Sequence, residues 1–155
     1  GDHRDLHSFP TRRSSDLREI KFRAKSKNLD PTSVPKDSWC YGYFAKLLDN
    51  GEVKPYIINS ECCFEVDEST LCQFTGIYDS NWKEVYEGDI VMFKKIIKGS
   101  STVSYCYRKV IFRDGCFVLK EHGRYNSIDV YSTNGKLPGD VAGNIYDNPE
   151  LLKQE

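Results

Sequence analysis

Histidine is scarce in this chain, with three residues in 155, and two of them, His3 and His7, fall in an opening segment that does not read as protein. Gly1–Leu17 has no apolar periodicity and no helix or strand signal. Residue by residue it fits the translation of a widely used sequencing adapter, so it is read as a non-native, disordered segment and set aside. Only His122 is then left for histidine chemistry. Charge of one sign is also lacking: the net charge is −1, and the excluded segment carries three Arg against three Asp, so no global basic field for nucleic acid remains. No run approaches the ~18 consecutive apolar residues of a membrane span, and no apolar stretch follows a basic start as a secretory signal requires. A protein in the cytoplasm, without a membrane partner, is expected. Finally, the six cysteines (Cys40, Cys62, Cys63, Cys72, Cys106 and Cys116) contain no C-x-x-C pair. Zinc binding is not expected, and free thiols in a reducing compartment are.

What the sequence does have is strand signal. Ile20 to Ala24 alternates apolar and basic residues, Lys25 to Ser38 reads as a polar loop, and Trp39 to Leu47 pairs with Val53 to Ile58 across Asp49-Asn50-Gly51-Glu52. Pro55 marks that return strand as an edge candidate. Cys62 to Val66 is a short strand, Asp67 to Thr70 a single helical turn, and Gln73 to Ile77 extended again. Ile90 to Phe93 and Thr102 to Phe112 form the longest hairpin, joined by Asp114-Gly115 to Cys116–Leu119. Asn148-Pro149 opens one short terminal helix. Many short strands with regular turn signals and no crossover helices predict a mainly β domain over 18–155, a small barrel or sandwich of antiparallel strands.

Four blocks carry a resemblance. Arg18-Glu19-Ile20-Lys21-Phe22-Arg23-Ala24, Tyr41-Gly42-Tyr43, Gln73 to Asp79 with Lys83 to Val91, and Val141 to Leu151 occur in the order seen in YopX proteins, and together they span residues 18–155. The chain resembles that family. The resemblance implies a phage or prophage protein of the host bacterial cytoplasm, β-rich, oligomer-forming and of unestablished activity; it supplies no catalytic residues. Two departures stand out: Trp82 where the family often has Gly, and an enlarged loop from Asn28 to Asp37.

The signature residues Thr75, Gly76, Tyr86, Glu87, Gly88, Asp89, Gly143 and Asn144 read as structural, with Gly88 expected at positive φ. Glu84, Glu87 and Asp89 put three carboxylates in six residues, an arrangement that could serve acid–base work or hold a cation but that a solvated turn more commonly explains. His122, near a turn, reads as a surface residue. Lys94, Lys95, Lys98, Tyr105, Tyr107, Arg108 and Lys109 interleave cations with rings on one hairpin, the pattern of a binding surface. Tyr41, Tyr43, Tyr56, Tyr105, Tyr107, Tyr125 and Tyr131 are more aromatics than period-two alternation can send inward. The first expectation is therefore a non-enzymatic accessory protein binding itself or another phage or host protein. A nucleic-acid-binding small barrel is the alternative and an enzyme the third reading; no catalytic, metal or cofactor residue is assigned.

Overall fold

The computed structural model describes residues 19–27, 35–96, 99 and 102–153. Gly1–Leu17, most of the Asn28 to Asp37 loop, and Lys98 lie outside them. Among the described residues ten strands follow one another: β1 (Phe22–Ser26), β2 (Trp39–Asp49), β3 (Glu52–Ile58), β4 (Cys63–Tyr78), β5 (Glu84–Tyr86), β6 (Asp89–Ile96), β7 (Val103–Arg113), β8 (Cys116–Glu121), β9 (Arg124–Ser127) and β10 (Asp140–Asn144). They form two five-stranded sheets, β1-β2-β3-β4-β5 and β10-β6-β7-β8-β9. The chain is mainly β, as expected. Its terminal helix is a 3₁₀ turn, Pro149–Lys153, and among the described residues no helix is long and apolar enough to cross a membrane.

The first sheet closes because β4 is long enough to serve three partners. It pairs with β3 through Cys63 to Glu65, then with β1 from Val66 to Gln73, then with β5. Since β1 also pairs with β2, the strands β1 to β4 form a closed four-stranded barrel. So narrow a barrel has room for few side chains: Ala24, Cys40, Ile57 and Val66 fill it, with Phe22, Phe44, Phe64 and Leu71 around them. The predicted helical turn at Asp67 to Thr70 is instead strand with a register shift against β1. Asp67 accepts from the Ser69 amide and hydroxyl, and Thr70 Oγ1 accepts from the Lys25 amide, so side chains bond the backbone where the ladder slips.

Alternation misreads β1. Arg23 is only 4% exposed, because one side of the strand faces the barrel and the other is covered. Pro55 stands where β3 runs beyond β4, whose ladder ends at Tyr56; nearer the barrel, β3 has a partner on both sides. The turns at Asn50-Gly51 and Asp114-Gly115 have positive φ at both residues, as type I′ hairpins require. Trp82 also lies in the left-handed region, at φ 64°, so it keeps the conformation that Gly would adopt there.

The second sheet buries Val91, Phe93, Val110, Phe117 and Leu119 on one face, covered by Ile77, Val85, Ile128 and Leu137. The cysteines are free. Cys40 and Cys72 are buried, whereas Cys62, Cys63 and Cys116 are exposed. Cys62 lies outside the strand it was expected to open, since β4 begins at Cys63.

Candidate functional site

The family-signature residues converge where the barrel meets the second sheet. Arg23 on β1 reaches Asp89, the first residue of β6, with Nη2 to Oδ1 at 2.5 Å. The other carboxylate oxygen accepts the Tyr86 amide at 2.8 Å. Rings clamp the guanidinium from two sides, Trp39 at 4.6 Å and Tyr86 at 4.8 Å. Burial pushes the Asp89 carboxyl above its ordinary value, and Arg23 and the Tyr86 amide pull it back only in part. Burial likewise raises the adjacent Cys72 thiol, which leaves it without thiolate character. Such a pair is a joint between the two sheets.

The remaining signature residues brace this joint. Thr75 Oγ1 donates to the Val85 carbonyl and accepts the Ile77 amide. Gly76 and Gly88 are left-handed; the Gly88 amide reaches the Val110 carbonyl while its own carbonyl takes the Ile145 amide, and the Glu87 amide reaches Gln73. Asn144 Oδ1 accepts the amides of Tyr146 and Asp147, a side-chain turn that reverses the chain after β10. A side chain at Gly143 would put its Cβ 2.4 Å from Asn148 Oδ1. Two of the three carboxylates read as a cluster have separate partners: Glu84 bonds Lys21 and the Tyr86 hydroxyl, and Asp89 bonds Arg23. Asp79, buried, holds the next turn by accepting the Asn81, Lys83 and Val141 amides.

Asp147 locks the same joint from outside. It accepts from Lys25 Nζ, from Trp39 Nε1 at 2.8 Å and from Asn144 Nδ2 at 2.9 Å. Desolvation pushes the Asp147 carboxyl up, but these donors outweigh it and hold the group at about 2. A carboxyl depressed in the folded state adds stability above its unfolded pKa of about 3.9 and loses it as pH falls through the folded value. The stability gap between the wild type and Asp147→Asn should therefore be constant from neutral pH down to about 4 and shrink toward pH 2. Urea unfolding at stepped pH measures it; a gap unchanged at the acid end would show that Asp147 contributes nothing as an anion.

The predicted basic hairpin divides between two faces. Across the ladder, Lys94 pairs with Tyr105, Met92 with Tyr107 and Ile90 with Lys109, while Val91 pairs with Arg108 and Phe93 with Cys106. Alternation therefore puts Lys94, Tyr105, Tyr107 and Lys109 on the outer face of the sheet, and Lys95 and Arg108 on the inner one. Sequence reading missed what the neighbouring strands add. Lys120 and Tyr125 extend the outer face, and Arg113 stacks on Tyr125 at 4.1 Å. Arg124, Glu121 and Tyr131 join the inner one, in a cleft of about 690 Å³ that His122 and Lys94 border. Of the other tyrosines, Tyr41 packs edge-on against Tyr86, and Tyr56 bonds Asp49.

A third surface lies on the barrel. Beyond Gly42, β2 loses β1, and before Tyr56, β3 has no β4 beside it, so the hairpin tip stands as a two-stranded arm. Leu48 and Val53 pair across it, on the same side as the core residues Phe44 and Ile57. They are nonetheless 75% and 65% exposed.

No curated protein matches the chain. Among solved structures it is similar to the crystal structure of protein EF1440 from Enterococcus faecalis, with 23% identity over 86% of this chain and 98% of that one and a TM-score of 0.43. A family model described as YopX protein matches residues 21–153, the stretch that holds every part of the joint, and the chain belongs to the YopX family.

Proposed function

We propose that the chain is a non-enzymatic binding protein that associates with copies of itself through the β2–β3 arm. The observation that supports this most is the exposure of Leu48 and Val53 on the core-facing side of the arm. A lone two-stranded hairpin is marginal in water, and apolar residues that continue a core line into solvent mark a protein contact. The arm also suits a second copy electrostatically. Its charges balance, Lys46 and Lys54 against Asp49 and Glu52, so two arms meet without net repulsion. Sizing chromatography with light scattering should give a mass above one chain, 17.9 kDa, at micromolar concentration. Leu48→Ser/Val53→Ser should return the monomer with its melting temperature kept within a few degrees. A wild-type monomer, or an oligomer indifferent to the double variant, would reject the arm.

The outer face of the second sheet supports a second reading, a site for single-stranded nucleic acid. Lys94, Lys109, Arg113 and Lys120 interleave there with Tyr105, Tyr107 and Tyr125, cations for phosphate and rings for bases. A gel shift at low salt that weakens steeply as salt rises is the expected signature, and no shift at low salt rejects the reading.

A further inference from the structure

We propose that the inner-face cleft of the second sheet binds small molecules carrying a polyphosphate chain. The cleft is about 690 Å³, within the range of small-ligand sites. Three strands supply its cations: Lys95 from β6, Arg108 from β7 and Arg124 from β9. One carboxylate opposes them, Glu121, and it is engaged: Arg108 Nε donates to it at 2.7 Å. That bond and two rings, Phe93 at 4.9 Å and Tyr131 at 4.7 Å, fix the guanidinium plane. Its terminal N–H groups meet no acceptor among the described residues, and neither Lys95 nor Arg124 has a carboxylate within ion-pair reach among them. A clamped guanidinium with spare donors, flanked by two unpaired cations, is built for an anion with several oxygens, and phosphate matches that fork. A chain of phosphates offers oxygens to all three cations at once within a cleft of this volume.

The proposal is independent of the arm, which lies on the other sheet. Calorimetric titration with inorganic tripolyphosphate and with ATP tests it on the full chain. Both should bind, and affinity should fall at least about tenfold in Lys95→Gln/Arg124→Gln, two lost charge contacts being enough for that change. Lys109→Gln/Lys120→Gln, on the opposite face, should leave it within about twofold, since those charges lie across the sheet. Thermal melts confirm that both variants fold. Equal affinity for the two probes assigns recognition to the phosphate chain, and tighter binding of ATP adds a contact to its base within the same cleft. Absence of binding by both probes at millimolar concentration overturns the proposal, as does an equal loss in the two variants.

Discussion

An Asp89→Ala variant is expected to lose about 3–5 kcal/mol of stability, the cost of leaving a buried charge without its partner. Arg23 is 4% exposed and cannot reach water without opening the joint between the sheets. Removing the carboxylate also strips the acceptor from the buried Tyr86 amide. For a domain of this size the melting temperature should fall by roughly 10–20 °C. Arg23→Met/Asp89→Asn provides the contrast: no charge is buried, and Asn keeps an acceptor for the amide, so most of the loss should be recovered. Urea unfolding of the three proteins measures this. A single variant that melts within about 2 °C of wild type would show that the pair is not what joins the sheets.

Gly42→Ala is expected to cost at least about 3 kcal/mol, by overpacking against backbone with no room to yield. A Cβ at Gly42 would lie 2.2 Å from the Ile58 carbonyl oxygen and 2.8 Å from its carbon. The obstacle is β3 itself, so the arm and the barrel would have to separate locally. Gly51→Ala, at the tip of the same hairpin, meets nothing within 4 Å and should lose only about 1–2 kcal/mol, for a left-handed conformation in an L-residue. Equal losses at the two positions, measured by denaturant midpoint with an unchanged slope, would mean that the close approach to Ile58 is relieved elsewhere.

The parts of the fold that were legible in the sequence are the ones set by neighbours in the chain. Asn50-Gly51 and Asp114-Gly115 fix their hairpins because two successive left-handed residues make only a tight turn. The β2–β3 and β7–β8 ladders follow from those turns and from alternation. What was not legible depends on partners far along the chain. Arg23 reads as a solvent-facing strand residue until Asp89, 66 positions later, is seen beside it. β4 reads as two strands with a helical turn between, because the bulge at Asp67 to Thr70 uses the same side chains that start helices. The division of the basic hairpin was available from period two alone, since Lys94 and Lys95 must face opposite ways. Arg124 entering the cleft was not, for it needs the register of β8 against β9. The family-signature residues gather where the two sheets meet, with Asp89 bonded to Arg23 across the joint.

The claim that the β2–β3 arm is the contact surface is tested most directly by methyl NMR of the intact chain over a dilution series. Leu48 and Val53 methyl signals should shift with concentration in step with the mass from light scattering, while those of Ile96 and Val103, at the exposed end of the β6–β7 hairpin, should stay fixed. Shifts confined to Ile96 and Val103, or none at the arm while the mass changes, would contradict it.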